Sequence, residues 1–422
     1  MHDKFLRFLS KCPTSWHAAK EIGNHLAEAD FSPLSERERW KLEPGKSYFV
    51  GREGALVCAF RLPKKKPTSA ILLASHTDSP ALKIKPHPDV MAHGISQFLT
   101  EIYGGPLLHS WLDRDLAIAG RIETDGGSKL VFIQDSPLII PQLAIHLDRT
   151  INEKGICVHK QDHLKAVLTI SGVHTLESVL KKHHSFQTLY THDLFLVPME
   201  KAGLIGLQQE LIGGYRLDNL SSAFATLGAL VLAPPREDAL QMALFWDHEE
   251  IGSTTSTGAG SLFVNQMLER IGIALHQSPE EIHQLRSGSI CLSADVTHGW
   301  NPNYPEKYDP QNAPLLGKGP VIKFNAGRKV ASDAASAASV CKLAQKKNIP
   351  LQQAANRSDI PGGSTVGPIM SANTGIPTID LGVACWAMHS TREIIAAADL
   401  KDLGELMKVV LEEWNPAEET FL

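Results

Sequence analysis

The segment "WDHEEIGST" (246–254) places Asp247, His248, Glu249 and Glu250 in a row directly after the apolar run "ALQMALF". Two adjacent carboxylates repel each other, and they are costly to desolvate unless a cation or a proton lies between them. The segment is therefore either a solvated acidic turn or part of a site for something positively charged. The segment by itself does not decide between these two interpretations.

Side chains of the metal-binding types recur where other predicted strands of the chain end. These are His76 and Asp78 in "SHTDSP", Asp295 in "SADVTHG", Asp218 in "RLDNLSS" at the start of a helix, and His389 in "AMHS" beyond the last strand. The carboxyl ends of strands form the ligand crevice of open α/β sheets, so these segments can converge. Imidazole and carboxylate ligands suit zinc, cobalt or manganese. Two such ions bridged by a carboxylate would resolve the crowding of the two glutamates, because one could ligate while the other handles protons.

Each of these motifs also has an ordinary structural explanation. The H-T-D tip is typical of a polar turn, "DHEE" of a solvated loop, and Asp218 of a helix N-cap. Similarly, Asp295 could only form a turn, and His389 could be a satisfied core histidine. Five such coincidences at one edge of a sheet are much less expected than one, so together they favour a metal site.

The arrangement of predicted elements indicates the fold class and three segments. Apolar strands alternate with helices in residues 1–85 and 204–422, which predicts an α/β domain with a mainly parallel sheet and helices on both faces. Between them, residues 86–203 alternate and turn through "TDGG", which predicts an inserted, mainly antiparallel β domain. The His- and Lys-rich stretch "LKKHHSFQTLYTHD" within this insert lacks clear periodicity and is predicted to be a loop.

Composition excludes several classes of function. The 422 residues carry 41 basic and 46 acidic side chains, so the net charge is −5, and no long basic block is present. We therefore expect neither nucleic acid nor an anionic membrane as the main partner. The N-terminus is too charged for a signal peptide, and no apolar run is long enough to span a bilayer. Six scattered cysteines without a C-x-x-C pair suggest free thiols and a cytoplasmic protein.

The chain resembles the aspartyl aminopeptidase family of di-zinc exopeptidases along nearly its whole length. The resemblance rests on ordered motifs that include "CPTSWHA", "SHTDSPAL", "YGGPLLHSWLDRDLAIAGRI", "IPQLAIHLDRTIN", "YRLDNLSSAF", "DHEEIGS", "PNYPEKYDP" and "GIPTIDLGVACWAMHSTRE". It implies a metallo-aminopeptidase that releases N-terminal residues, Asp or Glu in particular, from peptides. Two Zn²⁺ ions per subunit are implied as cofactors, with Mn²⁺ or Co²⁺ as possible substitutes.

The resemblance also implies roles for the residues at the strand ends. His76 and Asp295 would ligate one zinc, Glu250 and His389 would ligate the other, and Asp218 would bridge both. The general base would be Glu249. A further carboxylate, Asp78, would hydrogen-bond the imidazole of His76 from outside the metal shell.

The same resemblance extends to assembly and specificity. It implies that the insert is a dimerisation domain and that dimers build a closed dodecamer, in which His146 of one subunit serves a neighbouring active site. It implies substrate contacts for His298 and for Lys323, whose ammonium would pair with an acidic N-terminal side chain. Two positions depart from the family pattern, because Asn301 replaces a histidine and Lys329 stands where the family has a tyrosine.

Two other functions remain open at this point. One is a related di-metal aminopeptidase of neutral, leucine-type specificity, which a panel of substrates would distinguish. The other is a catalytically idle shell or cargo protein that keeps only the assembly. The second alternative is disfavoured because every residue type expected of a metal ligand is present.

Overall fold

A computed structural model describes residues 1–416, which fold into helices, strands and short 3₁₀ turns. The helices are α1 (His2–Lys11), α2 (Ser15–Glu28), α3 (Ile151–Lys154), α4 (Leu176–His183), α5 (Leu217–Leu232), α6 (Phe263–Ala274), α7 (Pro279–Ser287), α8 (Ala334–Lys347), α9 (Val366–Thr374) and α10 (Ala397–Glu413). Among these residues, no helix combines the length and the apolar character needed to cross a membrane.

The strands fall into three sheets. In chain order they are β1 (Ser32–Leu34), β2 (Ser47–Arg52), β3 (Leu56–Arg61), β4 (Ser69–His76), β5 (Ala81–Ala92), β6 (Ile95–Tyr103), β7 (Leu116–Thr124), β8 (Gly127–Leu138), β9 (Ala166–Thr169), β10 (Leu189–Pro198), β11 (Gly203–Ile205), β12 (Leu211–Gly214), β13 (Ala239–Trp246), β14 (Ile290–Ala294), β15 (Thr297–His298), β16 (Val321–Phe324), β17 (Gln352–Ala355), β18 (Thr378–Gly382), β19 (Ala384–Trp386) and β20 (Glu393–Ala396).

The largest sheet has nine strands in the order β1-β2-β3-β13-β4-β14-β18-β16-β17. Its centre is parallel, because β13 and β14 both run parallel to β4, and β18 runs parallel to β14. These central strands are buried on both faces, and two hydrophobic clusters cover the two sides of the sheet. The predicted α/β fold class is confirmed.

A second sheet of six antiparallel strands, in the order β8-β7-β10-β5-β6-β9, is formed by residues 81–198 and has its own hydrophobic core. The "TDGG" motif lies at the predicted hairpin, where β7 pairs with β8. This sheet agrees with the predicted antiparallel insert, although its first strand begins at Ala81. The division into 1–85, 86–203 and 204–422 stays a prediction.

Most of the His- and Lys-rich stretch is helix or strand, so the prediction of a loop holds only for residues 184–188 and was otherwise wrong. Residues 176–183 form α4, whose start is stabilised by a capping box between Thr175 and Ser178. Residues 189–198 then form β10, which lies inside the six-stranded sheet between β7 and β5. Tertiary pairing, which is not visible in a single stretch of polar sequence, decides this segment.

A small third sheet was not predicted from the sequence. Its strands run in the order β11-β12-β20-β19-β15, and it carries His298 at one edge and Glu393 in β20. Of this sheet, Thr297 and His298 in β15 line the cavity that lies over the carboxyl ends of β4 and β14.

Candidate metal centre

The register of the parallel strands places three acidic or imidazole segments side by side. His76 is the last residue of β4 and pairs with Trp246, the last residue of β13. A 3₁₀ turn at Glu249–Ile251 follows β13, and Asp295 directly follows β14, the other neighbour of β4. The sequence therefore delivers these side chains to one edge because three adjacent strands end there.

Two further side chains arrive from other elements. Asp218 lies at the start of α5, but its backbone is not helical and the helix has no side-chain cap. Its carboxylate faces the two histidines instead, so the N-cap interpretation does not hold. His389 lies in the connection between β19 and β20 with a left-handed backbone (φ +67°).

His76, Asp218 and Asp295 form the first group of potential ligands. The Nε2 atom of His76 lies 3.5 Å from an Oδ1 atom of each aspartate and 3.9 Å from Oε2 of Glu249. The ligand atoms of the three residues all lie within 4.8 Å of one another. The imidazole is fully enclosed, with a side-chain exposure of 1%.

Asp218, Glu250 and His389 form the second group, which shares Asp218 with the first. The Nε2 atom of His389 lies 3.3 Å from Oδ2 of Asp218 and 3.4 Å from Oε2 of Glu250. The two oxygens of Asp218 thus face different histidines. This is the arrangement that a carboxylate bridging two cations requires.

The residues fit a cation because the cluster leaves buried acceptors unpaired. Within residues 1–416, Oδ1 of Asp218 and Oε1 of Glu250 are buried and accept no hydrogen bond. Unpaired buried oxygens on carboxylates are costly unless a positive charge compensates them. Nitrogen and carboxylate donors in this number suit zinc and similar divalent ions.

The carboxylates also shift the pKa values of the site. Burial lowers the pKa of His389, but Asp218, Glu393 and the carbonyl of Gly105 together outweigh this effect and raise the pKa to about 9. Burial and the neighbouring carboxylates Asp295, Asp78 and Asp218 raise the pKa of Glu249 to about 8. Burial and Asp218 likewise raise the pKa of Glu250 well above its usual value. The shifts identify a cluster with more buried negative charge than its histidines can balance.

Asp78 lies behind the first group and organises the acidic turn. Its Oδ1 and Oδ2 atoms accept the backbone N–H groups of Glu249 and Glu250, each at 3.1 Å. Its Oδ2 atom also accepts the hydroxyl of Tyr103 at 2.8 Å. The Nδ1 atom of His76 lies 3.4 Å from Oδ1 of Asp78 and 3.1 Å from its backbone carbonyl. Asp78 thus lies beside His76, but the hydrogen-bond partner of the imidazole is the backbone carbonyl of Asp78, so the predicted bond to its carboxylate stays a prediction.

Residues 103–107, which begin at the last residue of β6, contact the cluster directly. The carbonyl of Gly105 faces Nδ1 of His389 at 3.1 Å, and the N–H of Leu107 donates to the carbonyl of His389 at 2.9 Å. Gly104 has a left-handed backbone (φ +70°), and a Cβ there would lie 3.2 Å from Cβ of Glu250. Glycine at 104 thus permits the close approach of this segment to the acids.

Sequence reasoning missed Glu393, the first residue of β20. Its side chain is buried and accepts the backbone N–H of Asp218 at 2.9 Å and that of His389 at 2.7 Å. It therefore fixes the two residues of the second group that come from outside the central strands. The only sequence signal was a charged residue opening an otherwise apolar strand, "EIIA".

A cavity of about 690 Å³ opens over the cluster, and both predicted substrate-contacting residues line it. Lys323, in β16 near one edge of the nine-stranded sheet, is 8% exposed, and its ammonium donates to the carbonyl of Val296 at 3.0 Å. It also lies 3.4 Å from Oδ2 of Asp295. His298 is more accessible and lies at the side of the cavity. The position of Lys323 is therefore compatible with a substrate contact, although Asp295 already offsets part of its positive charge.

His146 lies away from this cavity, in the exposed segment 141–150 of the insert. Its neighbours Leu143, Ile145 and Leu147 are 58%, 46% and 74% exposed. A single copy of the chain thus does not bring His146 to the cluster. Exposed apolar side chains in a row are typical of a surface that another protein covers.

Comparison with known proteins identifies the kind of site and the family to which the chain belongs. Residues 8–409 match the family described as "Aminopeptidase I zinc metalloprotease (M18)". The cluster at the strand ends is thus the candidate metal centre of a metallopeptidase. The chain belongs to the M18 family of zinc metallo-aminopeptidases.

Individual relatives agree over nearly the full length of the chain. A "Probable M18 family aminopeptidase 2" of Streptomyces avermitilis is 38% identical over 410 residues, which cover 94% of each chain. The crystal structure of an M18-family aminopeptidase from Thermotoga maritima is 27% identical with a TM-score of 0.89, covering 98% of this chain and 96% of that one. The mApe1 dodecamer of S. cerevisiae is 27% identical with a TM-score of 0.86, covering 100% and 98%.

Proposed function

We propose that this aminopeptidase uses two zinc ions and prefers peptides that begin with Asp or Glu. The observation that carries the two-ion proposal is the sharing of Asp218 between the two groups of potential ligands. In this assignment, His76 and Asp295 would hold one ion, Glu250 and His389 would hold the other, and Asp218 would be shared by both. When bound, the zinc ions supply Lewis acids that acidify a water molecule and polarise the scissile carbonyl group.

The remaining chemistry belongs to side chains of the protein. Glu249 acts as the general base that accepts a proton from the attacking water and later gives it to the leaving amine. Its carboxylate lies 3.9 Å from Nε2 of His76 and is only 14% exposed, so it faces the reacting groups. A positive charge beside it lowers its pKa and makes the ionised, basic form available. The free α-amine of the peptide is held by the acids of the cluster, which limits cleavage to the first residue.

Two histidines complete the proposed site. His146 reaches the cavity from a neighbouring copy of the chain and donates a hydrogen bond to the developing oxyanion. Its exposed, apolar surroundings in the insert support a covered surface at that place. We further propose that the insert forms dimers and that dimers assemble into a dodecamer; the similar mApe1 of S. cerevisiae is a dodecamer. His298 would contact the peptide from the side wall of the cavity.

Lys323 is the proposed source of the acidic preference, since its ammonium lies in the wall of the cavity. A specific observation keeps neutral specificity as a second candidate. The ammonium already interacts with Asp295 and Val296, which leaves less of its charge for a substrate carboxylate. Peptides beginning with Leu would then be cleaved as well as those beginning with Asp.

The proposed two-ion centre is tested by metal analysis together with activity. The chain is dialysed exhaustively against a chelator, and peptides with Asp, Glu, Leu or Ala first are then offered with and without added Zn²⁺, Mn²⁺ or Co²⁺. We expect no cleavage without metal and recovery at about two ions per chain. Full activity with no detectable metal, or saturation at a single ion, would contradict the proposal. A metal-loaded chain that cleaves no peptide would instead identify an idle assembly protein.

A further inference from the structure

Past the side chain of His298, the main cavity continues into two smaller compartments. One has a volume of about 170 Å³ and shares the wall residues His298, Pro314, Ala355 and Asn356 with the main cavity. The other has a volume of about 260 Å³ and shares His298, Met388 and His389. A peptide whose first residue lies over the acidic cluster needs space for the residues that follow. These compartments provide such space.

The 170 Å³ compartment carries two cationic side chains, Lys307 and Arg357. Lys307 ends the 3₁₀ turn Pro305–Lys307 in the motif "PNYPEKYDP", to which the proposed mechanism gives no role. Within residues 1–416 its ammonium forms no ion pair or hydrogen bond with another side chain or carbonyl. Its charge is therefore available to a ligand.

Arg357 is held in place by its own surroundings. Its Nε atom donates to Oδ1 of Asp359 at 2.7 Å, and one of its terminal nitrogens donates to the carbonyl of Glu306. The second bond ties the Arg357 side chain to the turn that carries Lys307. A guanidinium fixed in this way loses little conformational entropy when it binds a further acceptor.

The carboxylate that lines the same compartment, Asp309, is compensated locally. Its Oδ1 atom accepts the backbone N–H groups of Gln311 and Asn312, both at 2.9 Å, and the side-chain amide of Asn312 at 2.8 Å. Three donors offset much of its negative charge. Because Asp359 pairs with Arg357 at 2.7 Å, Lys307 is the cation of this lining that has no ion pair within the described residues.

The other compartment differs in charge. Its lining consists of His298, Asn301, Tyr308, Cys385, Trp386, Ala387, Met388 and His389, with neither lysine nor arginine among them. A lysine or arginine contact to an anionic group of the substrate is thus possible on one side of His298 and not on the other. This asymmetry makes the choice between the compartments one of chemistry and not only of volume.

We infer that the compartment formed by residues 307–309 and 355–357 is a subsite for a carboxylate of the peptide beyond its first residue. The inference rests on the proposed aminopeptidase function. The carboxylate can come from an Asp or Glu side chain that follows the first residue, or from the C-terminus of a short peptide. Lys307 supplies a mobile charge, and Arg357 supplies fixed donors that suit a planar carboxylate.

The test compares peptides that differ only in the position of the carboxylate, all beginning with Ala. One pair is Ala-Asp-Ala amide against Ala-Asn-Ala amide, and the other is Ala-Ala-Ala with a free C-terminus against its amide. We expect the metal-loaded protein to show a lower KM for the acidic member of at least one pair. Lys307→Met should reduce that advantage by up to about fivefold, the upper end of the range for an exposed charge pair. The pair that responds identifies which source the subsite takes.

Matched variants separate this inference from general damage. Lys318→Met removes an exposed lysine of the same region that lines neither compartment, and it should leave both ratios unchanged. Arg357→Lys keeps the charge but removes the fixed guanidinium fork. It should therefore reduce the KM advantage of the acidic peptides less than the double variant Lys307→Met/Arg357→Lys does.

The outcomes distinguish failure of the subsite from failure of the function. If neutral peptides are cleaved but the acidic members have no advantage, or if Lys307→Met lowers all peptides equally, the subsite is wrong while the aminopeptidase function stands. If no peptide is cleaved at all, the proposed function is wrong and the subsite inference is overturned with it. Because Lys307 is exposed, Lys307→Gln provides a second variant should the methionine variant fold poorly.

Discussion

The side chain of Glu393 accepts the backbone N–H of Asp218 at 2.9 Å, although 174 residues separate the two in sequence. Through the same carboxylate it also holds the backbone of His389. One buried acid thus fixes the carboxylate proposed to bridge the metal ions and a histidine proposed to bind one of them.

We expect Glu393→Gln to weaken metal binding by about tenfold or more, the effect reported for groups that orient metal ligands. A glutamine can accept from only one of the two N–H groups, because its amide nitrogen is itself a donor. The measurement is a competition with a chromophoric chelator on the purified protein. Glu405→Gln, an exposed substitution on α10, serves as the control. Unchanged metal affinity in Glu393→Gln would show that the two N–H bonds do not matter for the ligands.

Metal affinity should rise with pH up to about pH 9. In the metal-free protein the carboxylates raise the pKa of His389 to about 9, so this histidine is protonated at neutral pH. A metal ion must displace that proton, and affinity therefore falls by up to about tenfold for each pH unit below 9. Calorimetric titration in two buffers of different ionisation enthalpy counts the protons released. The dependence should be weaker in His389→Gln, and a flat profile in the parent chain would contradict the assignment.

The stability of the metal-free protein should show the opposite sign. Interactions that raise the pKa of His389 stabilise the fold fully below its unfolded pKa of about 6.5. That contribution is lost as pH rises through about 9. The unfolding temperature of the chelator-treated protein should therefore decline between pH 6 and pH 9, and added Zn²⁺ should make this decline smaller. If the metal-free protein instead gained stability between pH 6 and pH 9, the predicted direction would be wrong. The variant His389→Gln tests whether the pH dependence comes from His389, because it should lack that contribution.

We expect Glu249→Gln to lower turnover by at least about 10²-fold while the metal content stays at the parent level. The amide cannot accept the proton of the attacking water, but it preserves the shape of the turn. By contrast, Asp218→Asn should lower metal occupancy itself, because an amide is a poorer bridge than a carboxylate. Steady-state kinetics and metal analysis of the same samples provide the comparison. Near-parental turnover by Glu249→Gln would exclude Glu249 as the base.

Substrate preference should depend on Lys323. Lys323→Leu is expected to lower kcat/KM for peptides beginning with Asp or Glu by roughly ten- to a hundredfold, because a partly buried, charge-assisted pair is lost. Peptides that begin with Leu or Ala are the control. Since Lys323 also contacts Asp295, metal content is measured alongside. An unchanged ratio of Asp to Leu cleavage would favour the neutral specificity instead.

Activity should depend on assembly through His146. Twelve chains of 46.1 kDa would give a particle of roughly 550 kDa, which light scattering measures directly. Charged substitutions at Leu143 and Leu147, both exposed in the single chain, should dissociate it and lower activity while metal stays bound. His146→Ala should lower activity without dissociation. A fully active monomer would contradict both the assembly and the role of His146.

The central sheet and the cluster could be predicted from sequence because both follow from local patterns. Each apolar strand that ends in polar residues can be recognised from its own segment of sequence. Parallel pairing of these strands then brings His76, Glu250 and Asp295 to one edge of the sheet. Other features depend on long-range contacts. The stretch around His183 and His192 is polar in composition, yet the six-stranded sheet orders it as helix and strand. The role of Glu393 could hardly be predicted from the sequence, because its partners are backbone N–H groups, which every residue type but proline has.

The contacts of residues 103–107 with the cluster have a consequence for protein engineering. Trimming away the six-stranded sheet is the obvious route to a smaller, single-chain peptidase built on the nine-stranded sheet alone. That truncation would also remove the hydroxyl that Tyr103 gives to Asp78 and the carbonyl that Gly105 presents to His389. A minimal enzyme would therefore need a substitute linker that reproduces both contacts, because the insert supplies part of the scaffold around the metal centre itself.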